Sequence, residues 1–307
     1  MLFLNEHQVR TSLNVDEVIR ALHEAFARDF HLTLKMPVRT QLDAGPSILL
    51  LMPCHDSERN AAGVKIVTVN PDTGVNATYA LLDPATGKTL AVMEANYLTD
   101  LRTAATSAVA TDLLARPDAQ VLGVFGTGRQ AKAHLIALPR VRPFRRFLVC
   151  GSGRSDPGGF CKMMREEHGI EVEPVSAETC ARESDVLCTC TTSHVPLFDG
   201  RLLRPGTHLN LVGAFQTHTR EVDDETAKRS RIVVDTEEGA LEEAGDLLIP
   251  LNNGVIARDQ IVADLHQIAS GKKPGRPSPE DITLFKSVGC ALEDLVTANL
   301  LWKHFVK

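Results

Sequence analysis

The sequence has no long apolar run and no long basic run, and each absence excludes a class of partner. The longest aliphatic runs, such as Ile48–Met52, are far shorter than the roughly 20 residues that a membrane-spanning helix needs, so we expect no membrane partner. The net charge is −6, which argues against a nucleic-acid partner. The first residues lack a basic region followed by an apolar stretch, so we expect no secretory signal and a cytoplasmic protein.

Cysteine usage does not fit a disulfide framework. The seven cysteines are an odd number scattered through 307 residues, which favours reduced thiols. Cys188, Cys190 and His194 do not have the spacing of a zinc knuckle, and no second cysteine pair is near them in sequence. In an extended segment the two cysteines share one face as small apolar residues. We therefore expect no metal site.

The length and composition are those of an ordinary globular protein of about two domains, with 43% hydrophobic and 23% charged residues. Residues 14–30 have the apolar spacing of a helix. The period then changes to that of short strands separated by turn residues, which predicts a small antiparallel sheet with a helix. These strand-like segments are Met36–Asp43, Ser47–Pro53, Gly63–Val69, Thr78–Asp83 and Lys88–Ala95.

After Arg116-Pro117-Asp118, short apolar strands alternate with helical segments, which predicts a parallel sheet covered on both faces. The predicted strands are Gln120–Phe125, Arg146–Cys150, Gly169–Val175, Asp185–Cys190, His208–Gly213 and Arg231–Asp235. A last long helix is predicted from Ile282 to about Phe305. Gly289 is a weak point inside it, because a glycine in a helix costs about 1 kcal/mol relative to alanine.

The first predicted strand of this region leads into a glycine-rich turn, Gly126-x-Gly128-x-x-Ala131, and then into a helix. Gly126 permits a tight turn, Gly128 lets the backbone approach a phosphate, and Ala131 lets the helix pack closely on the strand. The N-terminus of the following helix favours an anion. In this context the turn predicts a dinucleotide-binding site.

The second strand of a dinucleotide fold normally ends in an acidic residue that binds the ribose hydroxyls of NAD(H). Here the sequence is Cys150-Gly-Ser-Gly-Arg154, without a carboxylate. Ser152 and Arg154 suit a 2′-phosphate, so NADP(H) is favoured over NAD(H). Asp156 comes late but keeps NAD(H) possible.

Three basic residues of the first third stand out from the apolar pattern around them. Arg39 alternates with the apolar Val38. Lys65 interrupts an apolar run, so it needs a carboxylate partner or a functional role, unless it lies on an edge strand and points to solvent. Arg102 is predicted in the first turn of a helix capped by Thr99, where the helix dipole disfavours a cation. A bound anion would explain it, and the alternative is a surface arginine paired with Asp100 or another neighbour.

Several motifs, spread in order over nearly the whole chain, resemble the ornithine cyclodeaminase/μ-crystallin family. The motifs are Gly63–Val69, Leu98–Ala105, Gly126–Ala131, Val212–Ala214 with Glu221, and Phe285–Gly289 with Asp294. The resemblance implies an α/β protein with two domains and a homodimer. Residues 1–116 with 292–307 would form a smaller α+β substrate-binding and dimerisation domain with an antiparallel sheet. Residues 117–291 would form a Rossmann-type NAD(P)-binding domain.

The same resemblance implies a small α-imino or α-amino acid substrate and assigns site residues. Arg39, Lys65 and Arg102 would hold the substrate carboxylate, and Lys65 is a candidate proton donor if burial lowers its pKa. The residues implied at the cofactor diphosphate are Gly126, Thr127, Gly128, Arg129 and Gln130. Ser152 and Arg154 are implied at the adenosine ribose. Thr191, Val212, Val288 and Gly289 are implied along the remaining cofactor, the last three near the nicotinamide.

One departure from the family pattern bears on the reaction. The family's cyclodeaminases have a loop aspartate that acts near the substrate amine, and here Phe215 or His218 occupies that place. His218 could replace the acid because imidazole titrates near neutral pH, or it could be a solvent-exposed loop residue. We therefore favour an NAD(P)H-dependent reductase of ketimines such as Δ1-pyrroline-2-carboxylate or Δ1-piperideine-2-carboxylate. The alternatives are ornithine cyclodeaminase and a non-catalytic NADP-binding protein like μ-crystallin.

Overall fold

The computed structural model describes residues 1–29, 32–151 and 156–306. They form two compact units, Met1–Thr106 with Gly289–Lys307 and Ser107–Val288. The first boundary between the units falls inside a helix that ends at Leu114. It precedes the domain boundary that the sequence predicts between Arg116 and Pro117. We call them the first unit and the second unit.

The strands, in chain order, are β1 Leu2–Leu4, β2 Leu34–Lys35, β3 Thr40–Ala44, β4 Ser47–Asp56, β5 Ala61–Asn70, β6 Gly74–Leu82, β7 Thr89–Glu94, β8 Val121–Phe125, β9 Arg146–Cys150, β10 Val172–Pro174, β11 Val186–Thr189, β12 His208–Leu211, β13 Ser230–Val234, β14 Ile261–Asp264 and β15 Ile282–Lys286. The α-helices are α1 Glu6–Ser12, α2 Val15–Ala27, α3 Asn96–Leu114, α4 Arg129–Ala137, α5 Pro157–His168, α6 Ala177–Glu183, α7 Asp224–Arg229, α8 Glu237–Glu243, α9 Gly245–Asn252, α10 Leu265–Ala269 and α11 Ala291–Phe305. Of the described helices, none is long and apolar enough to cross a membrane.

The first unit is built on a mostly antiparallel sheet of order β1-β7-β6-β5-β4-β2, with β3 also paired to β4. The predicted antiparallel sheet is therefore present, and β1 adds a parallel edge next to β7. Strand β1 is three residues long, too short for a period to reveal it in the sequence. Helix α11 packs against β4, β5 and β6 and against α2. It covers the sheet face that carries Lys65.

The second unit has a parallel sheet of order β10-β9-β8-β11-β12-β15-β13-β14 in the described chain. From β8 the chain proceeds outward to β9 and β10 on one side, and it then returns to β11 and β12 on the other. The strand order therefore reverses between β8 and β11. In open parallel sheets a ligand crevice forms at such a reversal, outside the carboxyl ends of the strands.

The prediction of one long helix from Ile282 to Phe305 is wrong. The structure has the strand β15, then a loop, and then α11 beginning at Ala291. All five residues of β15 are buried between β12 and β13. A short, largely apolar run gives the same sequence signal in a buried strand as in a buried helix. Gly289 lies in the connecting loop with a φ of +84°, a left-handed conformation that favours glycine.

Candidate active site

The glycine-rich turn has the geometry predicted for a dinucleotide site. Gly126 has a φ of +108°, and a Cβ on it would lie 2.6 Å from the carbonyl oxygen of Cys190, which follows β11. No larger residue fits where β8 and β11 approach each other. Gly128 is the N-cap residue of α4, and a Cβ on it would meet no atom within 4 Å in the described structure. The turn therefore leaves room for a diphosphate at the helix N-terminus, and the residues present fit a dinucleotide.

A buried histidine fixes helix α4 within the second unit. Ala131 and His134 are both 0% exposed. The ring nitrogens of His134 lie 2.7 Å from the carbonyl oxygen of Gln130 and 2.9 Å from the hydroxyl of Ser107. Burial lowers the pKa of His134 to about 4, so the ring is neutral at physiological pH. It acts as a structural hydrogen-bonding group beneath the turn.

The end of β9 lies at Cys150, as predicted. Ser152 and Arg154, the residues predicted at the adenosine ribose, lie outside the described residues. The next carboxylate, that of Asp156, caps α5. Its two oxygens accept hydrogen bonds from the N–H groups of Gly158 and Gly159, each at 3.0 Å. This carboxylate is therefore engaged by the backbone of its own helix.

The remaining predicted cofactor residues of the second unit follow the carboxyl ends of neighbouring strands. Thr191 comes after β11, Val212 after β12 and Val288 after β15. The N–H of Val288 donates to the buried carboxylate of Asp235 at 2.8 Å. A Cβ on Gly213 would lie 2.2 Å from the carbonyl oxygen of Thr191, so these two loops are in contact. These residues lie at the same edge of the sheet as the glycine-rich turn.

In the first unit, Lys65 and Arg102 converge on one carboxylate, which belongs to the protein itself. The ammonium of Lys65 lies 2.8 Å from Oδ1 of Asp294, and Nε of Arg102 lies 2.9 Å from the same oxygen. Nη1 of Arg102 also pairs with Glu293 at 2.5 Å. Lys65 is 1% exposed on a central strand, which excludes the alternative of an edge-strand lysine that points to solvent. Two buried cations are thus balanced by two buried carboxylates.

The predicted position of Arg102 in its helix is wrong. Helix α3 begins at Asn96, so Thr99 is a helical residue whose hydroxyl donates to the carbonyl oxygen of Ala95. Arg102 then lies beyond the first turn, where the helix dipole no longer disfavours a cation. The buried carboxylates of Glu293 and Asp294 explain its charge instead of a neighbour such as Asp100. Sequence reasoning missed this pairing because Glu293 is 191 residues away from Arg102 in the chain.

The electrostatics of the cluster differ for its two cations. Burial and the nearby charge of Arg102 lower the pKa of Lys65 to about 8, although Asp294 opposes the change. Burial also acts to lower the pKa of Arg102, but Asp294 and Glu293 outweigh it and raise that pKa above its ordinary value. Arg102 therefore keeps its charge, whereas Lys65 can exchange a proton near neutral pH.

Gly289, also in the first unit, lies against the guanidinium group. A Cβ at this position would be 2.6 Å from Nη1 of Arg102. The conformation of Gly289 and this close approach both require glycine. The backbone after β15 therefore limits where the Arg102 side chain can lie.

The structure places the other predicted site residues as follows. Arg39 is half-buried in the segment between β2 and β3. Phe215 is half-buried and packs on the apolar core of the second unit. His218 is exposed, and its ring centroid lies 6.1 Å from that of His194. Within the described ranges, no group of three or more His, Cys, Asp or Glu residues could hold a metal ion.

The model of the ornithine cyclodeaminase/mu-crystallin family matches residues 1–307. The chain belongs to this family. It is 35% identical over 321 residues to a Δ1-pyrroline-2-carboxylate reductase of Bacillus cereus, covering 100% of this chain and 97% of that protein. It is 34% identical to an alanine dehydrogenase of Archaeoglobus fulgidus, covering 99% and 94%. Among solved structures, Thermococcus litoralis Δ1-pyrroline-2-carboxylate reductase in complex with NADH and L-proline matches with a TM-score of 0.95 and 38% identity, covering 99% and 97%.

The predicted family and the Rossmann-type fold are therefore confirmed. Reductase relatives that match over the full length of the chain agree with the predicted class, an NAD(P)-dependent oxidoreductase. The parallel sheet, the glycine-rich turn and the family membership together support a nicotinamide dinucleotide cofactor.

Proposed function

We propose that this protein is an NAD(P)H-dependent reductase of small cyclic imino acids, with Δ1-pyrroline-2-carboxylate or Δ1-piperideine-2-carboxylate as substrate. The product would be proline or pipecolate. The observation that carries this proposal is the buried pair of Lys65 and Arg102 on Asp294, in a chain that also has a dinucleotide turn. The reductases of Bacillus cereus and Thermococcus litoralis, at 35% and 38% identity, support the choice of substrate.

The residues of the first unit would bind the substrate and supply a proton. Arg102, permanently charged, pairs with the substrate carboxylate, and Arg39 is the second arginine proposed there. Lys65, with a pKa of about 8, donates a proton to the imine nitrogen. The nicotinamide cofactor, when bound, supplies the hydride that the C=N carbon accepts. Asp294 holds the ammonium of Lys65 at 2.8 Å and so keeps the proton donor in place.

We propose NADP(H) as the preferred cofactor, with Arg154 and Ser152 at the 2′-phosphate. The absence of a carboxylate at the end of β9 supports this choice, and so does the engagement of Asp156 in capping α5. The principal competitor is NAD(H), because the related structures contain NADH with the Thermococcus litoralis reductase and NAD with an archaeal alanine dehydrogenase.

We also propose a homodimer formed through the outer face of the first unit's sheet. On the inner face, Met52, Lys65, Tyr79 and Met93 lie in one row across β4 to β7 and are buried. The adjacent row, on the opposite face, is apolar across five strands. Its members are Pro53, Val64, Ala80, Val92 and Phe3.

Phe3 is 63% exposed, and Ile66, also on the outer face, is 37% exposed. An apolar sheet face of this extent is typical of a surface covered by another subunit. The archaeal alanine dehydrogenase, 33% identical with a TM-score of 0.92, is described as a dimer. Analytical ultracentrifugation of the wild type and of Val64→Glu tests the proposal. We expect a dimer for the wild type and a monomer for the variant, and a monomeric wild type would reject the dimer.

A cofactor-oxidation assay tests the reaction. Purified protein receives NADPH or NADH with each cyclic ketimine, and the loss of nicotinamide absorbance is followed. Lys65→Ala and Arg102→Ala should both abolish the activity, whereas Lys88→Ala, an exposed lysine of the same unit, should not. Absence of oxidation with every imine would reject the reductase. Release of ammonia from L-ornithine with NAD⁺ would instead favour the cyclodeaminase, and cofactor binding without either reaction would favour a μ-crystallin-like carrier.

A further inference from the structure

Glu221 lies at the centre of a buried hydrogen-bond network in the second unit. It is 0% exposed and belongs to the segment between β12 and β13. Its Oε1 accepts hydrogen bonds from the N–H and the hydroxyl of Thr191, at 2.8 and 2.7 Å. Its Oε2 accepts from the hydroxyl of Thr189 at 2.7 Å and from the N–H groups of Gly213 and Ala214 at 2.8 and 3.2 Å. One carboxylate thus joins the end of β11 to the loop after β12.

Two more charged residues hold Glu221 in place. Asp246 accepts hydrogen bonds from the N–H groups of Glu221 and Val222, at 2.7 and 3.2 Å. Its other oxygen lies 2.9 Å from the ammonium of Lys286 at the end of β15, and that ammonium also donates to the carbonyl oxygen of Ala214. Burial and the charge of Asp246 raise the pKa of Glu221, while Lys286 and the threonine hydroxyls oppose the rise. A buried polar network with its groups paired is rigid and specifies one arrangement of its loops.

We propose that Glu221 is a positioning residue for the nicotinamide half of the dinucleotide. The inference rests on the function proposed above and on the resemblance, which implies Val212 near the nicotinamide. Thr191 lies against the loop that follows Val212, since a Cβ on Gly213 would be 2.2 Å from its carbonyl oxygen. Glu221 fixes Thr191 and the backbone directly after Val212, at the carboxyl ends of two neighbouring strands. None of its hydrogen bonds in the described structure goes to the Gly126 turn, where the diphosphate would bind. We therefore expect the loss of Glu221 to affect the nicotinamide half more than the diphosphate half.

The substitution Glu221→Gln should affect the loop of Thr191 more than the loop after β12. A glutamine amide has one acceptor oxygen and one donor NH₂ group. If the NH₂ group replaces Oε2, it opposes two backbone N–H groups, those of Gly213 and Ala214. If it replaces Oε1, it opposes only the N–H of Thr191, whose hydroxyl can rotate to accept. We therefore expect the glutamine to keep its hydrogen bonds with the loop after β12 and to lose the one with the N–H of Thr191.

The experiment compares the binding of a whole dinucleotide with that of a fragment without nicotinamide. Calorimetric titration gives the Kd of NADPH, NADH, adenosine 2′,5′-bisphosphate and ADP-ribose for the wild type and for Glu221→Gln. We expect the Kd of the dinucleotides to rise about tenfold, and the Kd of the fragments to change less than about twofold. The control is Glu238→Gln, the same chemical change at an exposed position of α8, which should leave all of these Kd values unchanged.

A purely structural role would not separate the two kinds of ligand. Equal weakening of dinucleotides and fragments, or no weakening at all, would overturn the inference. If Glu221→Gln does not fold, Thr189→Val tests the same point, because Thr189 is buried, is not proposed to contact the cofactor, and would lose its hydroxyl bond of 2.7 Å to Oε2 of Glu221. We expect it to raise the Kd of the dinucleotides by about threefold and to spare the fragments, and unchanged dinucleotide binding would overturn the inference. A wild type that binds neither NADPH nor NADH would instead reject the proposed function itself.

Discussion

Asp294 of α11 lies 2.8 Å from the ammonium of Lys65 on β5, although 229 residues separate them in the chain. The contact places the carboxylate of the last helix on the inner face of the first unit's sheet. Both groups are buried, so replacing either one leaves the other charge buried without its partner. Removing one partner of a buried ion pair typically lowers the free energy of unfolding by about 3–5 kcal/mol. The proposed proton donor therefore depends on a residue at the opposite end of the chain.

Replacing Asp294 by asparagine should change the pH dependence of the reduction. Asp294 raises the pKa of Lys65, so its loss should move that pKa below about 8. The wild-type kcat/KM should fall as pH rises through about 8, because Lys65 loses its proton, and the fall should begin at a lower pH in Asp294→Asn. The measurement is a pH profile of kcat/KM. The control is Asp72→Asn, in an exposed turn of the same unit, which should keep the wild-type pH profile. If the fall of kcat/KM begins at the same pH in Asp294→Asn as in the wild type, Asp294 does not set the pKa of the proton donor.

Replacing Gly289 by alanine should weaken substrate binding as well as lower stability. The new Cβ would lie 2.6 Å from Nη1 of Arg102 and would displace the guanidinium group. The matched control is Gly254→Ala, whose φ of +69° imposes a similar strain but whose Cβ would meet no atom within 4 Å in the described structure. Both variants should lose about 1–2 kcal/mol of unfolding free energy to the left-handed conformation. Gly289→Ala should lose more, because it also displaces a buried guanidinium from Glu293 and Asp294. Only Gly289→Ala should raise the KM for the imine, by about tenfold or more, and an equal KM in both variants would contradict the placement of Arg102.

Replacing Arg154 by alanine tests the choice of cofactor. If Arg154 pairs with the 2′-phosphate, the variant should bind NADPH at least about tenfold more weakly and NADH almost unchanged. Calorimetric titration of both dinucleotides measures the difference. Arg182→Ala, at an exposed site of α6, serves as the control. Equal weakening of NADPH and NADH would reject a role at the 2′-phosphate.

The buried His134 should make the protein sensitive to acid. Its pKa is about 4 in the folded state and 6.5 when unperturbed, so between these values the unfolded chain binds the extra proton. The free energy of unfolding should therefore fall as pH falls from about 6.5 to about 4, by up to about 3 kcal/mol from this residue. Urea unfolding at a series of pH values measures the slope. In His134→Gln the free energy of unfolding should depend less steeply on pH. If the difference in unfolding free energy between the variant and the wild type does not change with pH, His134 is not the source of the acid sensitivity.

The sequence by itself determined the features that are local. The run from Val121 to Ala131 predicts a strand, a glycine turn and a helix because each residue acts on its immediate neighbours, and the structure has β8, the left-handed Gly126 and α4 there. The alternation of strands and helices after residue 117 predicted a parallel sheet for the same reason. The motifs spread along the chain identified the family, which is confirmed. The sequence also marked Lys65 as a residue that needs a partner.

Only the tertiary structure decided which partner Lys65 has. Burial of an ammonium demands a carboxylate, but nothing local selects Asp294 among the 39 acidic residues. The strand β15 was likewise decided by its place between β12 and β13, since its apolar residues suit a helix equally well. Glu221, Asp246 and Lys286 form one network because three separate segments meet at one edge of a sheet. Charges far apart in the chain are paired by packing, and packing is set by the whole fold.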